Sequence, residues 1–357
     1  LQKMVMISKQ ENITSIADFI AARYGKSQSL AVAVALICLV GVLPYIALQL
    51  KAIVLGVNLL IGGGADANGV RAQDTALVLA LVLALFAILF GTRSLDVTEH
   101  HRGMVLAIAF ESLVKLLAFL AVGIFVTYGL YDGFDDLLRQ AAVAPQLEAF
   151  WQESVNWPSM LVQTFVAMLA ILCLPRQFHV SVVENTEPQD LRLARWVFPA
   201  YLSLAALFVV PIALAGQMLL PSGVTADSFV ISLPLAEAHP LLALLAFIGG
   251  ASAATGMVIV ASVALSTMVS NDMLLPWLLR RQNTERPFEA FRYWMLSVRR
   301  ISIVVILLLA YVCYRLLGST SSLATIGQIA FAAITQLAPA MLGALYWKQA
   351  NRRGVFA

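Results

Sequence analysis

Charged residues are scarce in this chain of 357 residues, since Lys, Arg, Asp and Glu together make up only 12% of it. Soluble domains carry about 25% charged residues, so this composition excludes an ordinary water-soluble domain. Hydrophobic residues make up 61% of the chain and the mean hydropathy is +0.86. Apolar runs long enough to cross a bilayer recur. The composition therefore predicts an all-α polytopic membrane protein with the lipid bilayer as its partner.

Catalytic motifs are also missing. The sequence contains no HExxH, no GxSxG and no Walker phosphate-binding loop, so we predict no catalytic residues, no metal site, no cofactor and no enzyme activity for this stretch. The basic residues stand between apolar runs and form no basic face, which argues against nucleic acid as a partner. The three cysteines lie inside apolar runs, as packing residues do: Cys38, Cys173 and Cys313.

No signal peptide opens the chain. It starts at Leu1 with LQKMVMI, which is typical of the end of an apolar helix, so we expect the natural protein to begin further upstream. In the polar stretch that follows, Ser15 and Asp18 suit a helix N-cap and Gly25 suits a helix stop. Residues 1–27 are therefore predicted to be a cytoplasmic lead-in with a short helix at the membrane surface.

Eight apolar spans follow, and basic residues orient them. The segments expected on one side of the membrane hold eighteen of the 23 Lys and Arg. By the positive-inside rule this side is the cytoplasm, and both ends of the stretch lie there. The approximate limits of the spans are 28–61, 75–93, 102–129, 158–180, 195–219, 240–270, 296–317 and 322–347.

An acidic loop, 130–157, separates three spans from the five that follow, and we expect it to be extracytoplasmic. The first span enters the membrane from inside and the sixth from outside, and both are unusually long with polar residues in mid-membrane. Opposite orientation of matching elements is typical of the inverted repeats of secondary transporters. We expect residues 28–129 to end a first repeat and 158–347 to form a second, within a single transporter-like domain.

Small and hydroxyl residues crowd the stretch 241–276. Glycine, alanine, serine and threonine fill it from Gly249 to Gly256, and Ser262, Ser266 and Ser270 follow. Small residues let helix backbones approach closely, and hydroxyls hydrogen-bond between helices in lipid. The pattern predicts a helix with protein on nearly all sides. It is either tightly packed only, or it lines an ion or substrate site.

Polar residues inside the spans are the candidates for function. Tyr45 and Gln49 share a face of the first span, Lys51 lies roughly opposite, and Pro44 is expected to kink or break the helix. In the third span Glu111 and Lys115 are four residues apart. Each costs about 2.5–3.5 kcal/mol at a bilayer centre, so they form either a structural ion pair or a proton or substrate relay.

Two later spans carry prolines beside polar groups. Pro175, shortly after Cys173, either breaks the fourth span and exposes backbone groups to a solute or only kinks it. In the last span Pro339 is expected to break the helix. Gln336 beside it either hydrogen-bonds the substrate or ties two helices together. The candidate substrate-binding or gating residues are Tyr45, Gln49, Cys173, Pro175 and Gln336.

Several segments resemble the sodium/solute symporter family, whose members have the LeuT-like inverted-repeat fold. TSIADFIAARYGKSQ followed by PYIALQL is similar to the entry to the third core helix, and GTRSLDVTEHHRG to the turn into the fifth. LPRQFHV resembles the sixth, ASAATGMVIVASVALSTMVSNDML the eighth, and IGQIAFAAITQLAPAMLGALYWKQANRRGVFA the tenth. The resemblance implies core helices three to ten, with flanking helices missing, and a small-molecule substrate.

The sequence departs from the family where sodium would bind. In coupled members the eighth helix supplies two adjacent hydroxyls and a carbonyl, and the resemblance places these at Gly256, Met257 and Ala253. Neither of the first two side chains offers an oxygen, so the coupling ion is expected to be H+ rather than Na+. Other transporters of this fold place a buried lysine where sodium would be. The candidate proton or ion relay comprises Glu99, Glu111, Lys115 and Lys51.

The segments GVLPYIALQLKAI, TEHHRGMVLAIAFESLVKL and VSNDMLLPWLLRR are most similar to one subgroup, the membrane domains of bacterial sensor histidine kinases of the CbrA and CrbS types. This resemblance implies the bacterial inner membrane, a cytoplasmic kinase domain in cis and a two-component system, so that the full-length protein would be a histidine protein kinase. The nutrient imported or sensed would be an amino acid such as histidine or a short carboxylate such as acetate. The alternatives are a stand-alone sodium-coupled symporter and a membrane receptor that does not transport.

Overall fold

Helices are the regular elements in the part of the chain that the structure, a computed structural model, describes: residues 1–62, 70–91, 102–185, 187, 189–276, 288–317 and 321–356. The helices before the predicted outer loop are α1 (Gln2–Glu11), α2 (Ile16–Arg23), α3 (Gln28–Leu60), α4 (Val70–Gly91) and α5 (Arg102–Ile124). Within that loop lie α6 (Phe134–Val143) and α7 (Glu148–Gln152). The next four are α8 (Trp157–Cys173), α9 (Pro175–Phe178), α10 (Asp190–Ala206) and α11 (Val209–Leu219). The last six are α12 (Phe229–Ala236), α13 (Pro240–Met268), α14 (Phe288–Leu317), α15 (Leu323–Thr335), α16 (Ala338–Tyr346) and α17 (Arg352–Phe356).

Six helical segments of the described chain are long and apolar enough to cross a membrane, and up to eight if each of two bent helix pairs counts as one span. One bent pair joins Pro145–Gln152 to α8 at 86°, and the other joins α15 to α16 at 41°. Leu, Phe and Val side chains cover much of the outer surface of the spans, as lipid contact requires. The structure thus confirms an all-α polytopic membrane protein.

The prolines behave differently from one another. Pro44 lies inside α3, which continues without interruption from residue 28 to 60, so of the two expected alternatives, a kink or a break, the break does not occur. Pro175 does end a helix: Leu174 is extended, with φ −65° and ψ 122°, and Pro175 opens α9. Proline at the first position of a helix loses no hydrogen bond there. The predicted fourth span is therefore broken at residue 174 rather than kinked.

Helix α13 lies at the centre of the bundle. It packs against α3, α4, α5, α12 and α14. Its first turns expose Leu241 to the surroundings, whereas most side chains between residues 254 and 268 are buried. Gly249 and Gly256 are seven residues apart, so they share one face, and that face contacts α5. The small residues therefore serve close packing.

The N-terminal segment docks onto the end of the bundle that we predict to be cytoplasmic. Ser15 caps α2 by accepting a hydrogen bond from the Asp18 backbone N–H at 2.9 Å, and Gly25 follows with a φ of +80°, as the sequence predicts. The same Ser15 hydroxyl donates to Asp272 Oδ2 at 2.7 Å. Burial raises the pKa of the Asp18 carboxyl, although the Thr14 backbone N–H bound to it opposes the shift.

Candidate functional site

Ionisable and aromatic side chains from α3, α5, α9 and α10 converge on α13 inside the bundle. We call this group the charged cluster. It comprises Tyr45, Glu111, Lys115, Arg176, Tyr201, Gly256 and Met257, which belong to helices that are distant in sequence.

Glu111 lies directly against the backbone of α13. A Cβ atom added to Gly256 would overlap with Glu111 Oε2 and would lie 2.8 Å from its Cδ. Only a glycine leaves room for the carboxylate at this point of the helix. The contact between α5 and α13 thus places a carboxylate at one of the two positions where the family resemblance puts a sodium-binding hydroxyl.

Lys115 lies one turn further along α5. Its Nζ is 5.7 Å from the ring centroid of Tyr201, and the Tyr201 hydroxyl donates to the Ser112 carbonyl oxygen at 3.0 Å, which ties α10 to α5. Lys115 and Glu111 attract each other electrostatically. Within the described part of the chain, however, they form no direct ion pair. A simple structural salt bridge therefore does not describe these two residues.

Arg176 enters the cluster from the helix break. It is the second residue of α9, and its Cζ lies 5.7 Å from the ring centroid of Tyr45. The Tyr45 hydroxyl in turn donates to Met257 Sδ at 3.1 Å. The positive charge of Arg176 also acts on Lys115. The break at Leu174 thus turns the chain so that a guanidinium reaches the centre of the bundle.

The charges of the cluster do not balance. Among the described residues it contains two cations, Lys115 and Arg176, and one carboxylate, Glu111. The formal sum is about +1 with Glu111 ionised and about +2 with it protonated. A net charge inside the membrane region is costly, so this arrangement can attract an anion and responds to the protonation of one residue.

Some predicted site residues lie beside the cluster. Gln49 is buried one turn from Tyr45 in α3. Cys173 and Pro175 are buried at the break that positions Arg176. Ala253, predicted to offer its carbonyl to sodium, is half-buried one turn before Gly256. The structure therefore gathers these four residues around the same region.

Other predicted residues lie elsewhere. Lys51 donates to the Ser321 carbonyl oxygen at 2.6 Å near the opposite end of α3, where Asp227 also attracts it. Gln336 is exposed and donates to the Ala332 carbonyl oxygen of its own helix at 3.3 Å. Neither residue contacts the charged cluster. Glu99 lies outside the described residues.

Sequence reasoning missed Arg176 and Tyr201. Arg176 counts among the basic residues expected at the cytoplasmic surface, because the positive-inside rule uses only position along the chain. The signal that could have revealed it is the sequence LPRQ, in which a charge follows the helix-breaking Pro175 at once. Tyr201 offers no such signal, since a tyrosine in an apolar helix is usually a packing residue.

The fold and the cluster together define a class: a polytopic helical membrane protein with ionisable side chains gathered inside its helical bundle, an arrangement typical of solute and ion pathways. No family model matches the chain. The chain is similar to the protein named uncharacterized symporter YhjB of Bacillus subtilis, with 25% identity over 361 residues, or 98% of this chain and 67% of that protein. This similarity supports a transporter-type membrane protein.

Proposed function

We propose that this chain forms the transport domain of a proton-linked, sodium-independent importer of a small polar nutrient. The observation that carries the proposal is the Glu111 carboxylate packed on Gly256, where the family resemblance places a sodium ligand. A carboxylate in the membrane region that exchanges between ionised and protonated forms can carry one proton per transport cycle. The similarity to a protein named as a symporter supports coupled transport.

Because Lys115 lies near Glu111, protonation of Glu111 changes the electrostatic forces inside the bundle. With Glu111 ionised, its negative charge attracts Lys115 on the same helix, α5, and offsets part of the repulsion between Lys115 and Arg176 of α9. Protonation of Glu111 removes this attraction and leaves two cations, Lys115 and Arg176, that repel each other. Binding and release of a proton by Glu111 therefore change the electrostatic force between α5 and α9, beside the point where the carboxylate packs on α13.

The membrane location, the topology and the fold arrangement that we propose rest on the subgroup resemblance. We propose the bacterial inner membrane, with both ends of this stretch in the cytoplasm and the inverted-repeat arrangement of the LeuT-like fold. The resemblance to kinase-linked membrane domains supports a version in which a histidine kinase in cis reads out transport or binding. The similarity to a protein named only as a symporter favours the stand-alone alternative instead.

Uptake into proteoliposomes tests this proposal. The full-length protein is reconstituted, and uptake of radiolabelled histidine and radiolabelled acetate is measured under an imposed proton gradient or an imposed sodium gradient. We expect uptake with the proton gradient alone, and we expect Glu111→Gln to abolish the response to it. The matched control is Glu148→Gln, because Glu148 is an exposed carboxylate in the predicted outer loop.

Three outcomes would contradict the proposal. Uptake that requires a sodium gradient and ignores the proton gradient would favour the sodium-coupled symporter. Binding of either solute without any flux would favour the non-transporting receptor. Full proton-driven uptake by Glu111→Gln would remove Glu111 from the coupling mechanism.

A further inference from the structure

A cavity of about 1090 Å³ lies at the end of the bundle that we predict to be cytoplasmic. It is found where the turn between α2 and α3, the segment that follows α13 and the first residue of α17 come together. We call it the boundary cavity. Its described lining includes Lys26, Ser29, Val32, Met273, Leu274 and Arg352. These residues do not belong to the charged cluster, so the boundary cavity is a separate site.

The boundary cavity lies where two membrane spans reach the membrane surface. Gln28 begins one candidate span, Gln28–Leu60, and Leu274 ends another, Pro240–Leu274. The two span ends are tied together, since the Gln28 side chain donates to the Asp272 carbonyl oxygen. A ligand in this cavity is therefore held at the level where the hydrocarbon core of a bilayer meets its polar headgroups.

The wall of the boundary cavity has a polar part and an apolar part. Lys26, Ser29 and Arg352 supply cationic and hydroxyl groups, whereas Val32 and Met273 supply alkyl and thioether groups. Ser29 and Val32 are three residues apart and share one face of α3, so Val32 lies about 4.5 Å further along the helix toward the membrane interior. A small water-soluble anion matches only the polar part. A ligand with a charged head and an apolar body matches both.

The polar part of the boundary cavity is positive. Arg352 forms no ion pair within the described part of the chain, and Lys26 lies 3.6 Å from Glu11 in an exposed pair, which contributes little. Among the described residues that line this cavity there is no Asp or Glu. The carboxylates of Glu11, Asp18 and Asp272 line a second, smaller cavity of about 230 Å³, which Lys26 also borders. The boundary cavity therefore favours an anion.

The backbone brings these two cations to the start of α3 from opposite ends of the chain. Gly25 and Lys26 have φ values of +80° and +52°, and the left-handed conformation is uncommon for a residue with a side chain. Arg352 is the first residue of α17, and its guanidinium donates to the Ser29 hydroxyl and lies 5.6 Å from the ring centroid of Phe356. One anion between the two side chains would therefore join α17 to the turn before α3.

We propose that the boundary cavity binds the headgroup of an anionic phospholipid from the membrane leaflet at this end of the bundle. The phosphate lies between Arg352 and Lys26, and the glycerol esters and first acyl methylenes lie against Val32 and Met273. Basic pockets between transmembrane helices on the cytoplasmic side suit such headgroups, because that leaflet carries anionic lipids. The bound lipid holds α17 to the turn between α2 and α3. This proposal does not depend on the transport function.

Native mass spectrometry of the purified, delipidated full-length protein tests the proposal. The probes are dioleoyl phosphatidylglycerol and dioleoyl phosphatidylcholine, which have the same acyl chains and differ in net charge. We expect one phosphatidylglycerol to bind more tightly than further copies and more tightly than phosphatidylcholine. Loss of one cation should weaken this first binding step about five-fold, and the double variant Lys26→Gln/Arg352→Gln should weaken it about twenty-five-fold.

The matched control is the double variant Lys348→Gln/Arg353→Gln. Both residues are exposed and close to Arg352 in sequence, but they do not line the boundary cavity, so the control loses the same charge elsewhere. We expect it to bind the first phosphatidylglycerol like the wild type. Equal weakening in the two double variants would show only a general attraction between a basic surface and anionic lipid, and it would overturn the proposal.

A second measurement needs no variant. Phosphatidylglycerol with a photoreactive diazirine near the start of one acyl chain is added to the wild-type protein, and mass spectrometry locates the label after illumination. We expect label on the peptide that contains Val32 or on the peptide that contains Met273. An excess of unlabelled phosphatidylglycerol should remove this label, whereas phosphatidylcholine should not. The measurement decides the question even if the variants fail to fold.

Three results would count against the boundary cavity as a lipid site. Label found only on other peptides, or removed equally well by phosphatidylcholine, overturns the proposal. Glycerol phosphate that competes as well as phosphatidylglycerol would show a site for soluble phosphates, and it overturns the assignment to a lipid. Phosphatidylglycerol binding that is weakened in Lys26→Gln/Arg352→Gln but not in the control supports the proposal, whatever the uptake measurements show about transport.

Discussion

The contact between Gly256 and Glu111 gives the most discriminating prediction. In Gly256→Ala the added Cβ overlaps with the Glu111 carboxylate and lies 2.8 Å from its Cδ. The carboxylate is the far end of a flexible side chain, so it can move away at the cost of a distorted rotamer, about 0.5–1.5 kcal/mol. Replacement of glycine by alanine within a helix returns about 0.5–1 kcal/mol. We therefore expect a stability close to that of the wild type and a carboxylate displaced from α13.

Gly249→Ala should behave in the opposite way. Its added Cβ would meet Ala118 Cβ at 2.5 Å and Lys115 Cα at 3.5 Å. These atoms belong to the backbone or to a side chain without rotamers, so α5 and α13 must separate. Overpacking of this kind costs about 1–3 kcal/mol. The two alanine variants lie on one helix face but should differ in their effects. Gly256→Ala should lose proton-driven uptake while staying stable, and Gly249→Ala should lose stability.

A double-mutant cycle checks the contact directly. Thermal unfolding of the purified protein in detergent is measured for the wild type, Gly256→Ala, Glu111→Ala and the double variant. Once the carboxylate has been removed, Gly256→Ala should become stabilising, which gives an interaction free energy of about 0.5–1.5 kcal/mol. If Gly256→Ala has the same effect in both backgrounds, Glu111 does not pack on Gly256 and the proposed coupling site is wrong.

Three further variants address separate features. Ser15→Ala should destabilise the protein by about 1–2 kcal/mol, since it removes both the cap of α2 and the hydrogen bond to Asp272. Burial raises the pKa of Asp18 above its ordinary value of 3.8, so Asp18 holds its proton more tightly in the folded state and its contribution to stability falls as the pH rises above 3.8; Asp18→Asn should make stability less dependent on pH in that window. Lys115→Ala should lower uptake far more than Lys51→Ala does, because Lys51 is held at the other end of α3.

Each of these predictions has its own check. Ser322→Ala is the control for Ser15→Ala, because Ser322 caps α15 by accepting from the Thr325 N–H and has no carboxylate partner among the described residues; equal losses of thermal stability would show that the bond to α13 contributes nothing. For Asp18, stability curves of variant and wild type that run parallel from pH 3 to pH 7, about the range in which a raised aspartate pKa acts, would contradict the sign given above. Equal uptake by the two lysine variants would remove Lys115 from the site.

Local features of the fold could be predicted from the sequence, because they depend on neighbouring residues. The cap at Ser15 follows from side chains three positions apart, and the start of α3 follows from the beginning of an apolar run. Pro44 shows the limit of this reasoning: proline removes one hydrogen bond, and packing on several sides of α3 keeps the helix continuous. At Pro175 the extended Leu174 ends the helix instead.

The charged cluster could be predicted only in part. Glu111 and Lys115 stand out in an apolar helix because charge is rare there. Their partners do not stand out in the sequence. The contact between Glu111 and Gly256 joins residues of different helices and depends on how α5 packs against α13. Arg176 looks like a surface charge until the break at Leu174 turns it inward. Which charged residues meet inside the bundle therefore depends on how the helices pack.

The docking of the N-terminal segment bears on the order in which the protein is assembled. Lys3, Arg23 and Tyr24 donate hydrogen bonds to the carbonyl oxygens of Leu345, Ala344 and Ala340, at the end of the bundle formed by α16. A ribosome makes these donors first and their acceptors more than three hundred residues later. Until the later helices have been synthesised, α1 and α2 therefore lack the acceptors of these hydrogen bonds. Of the two partners, the one synthesised earlier completes its hydrogen bonds only after the later one is in place, so its docking can report that insertion of the later helices is complete.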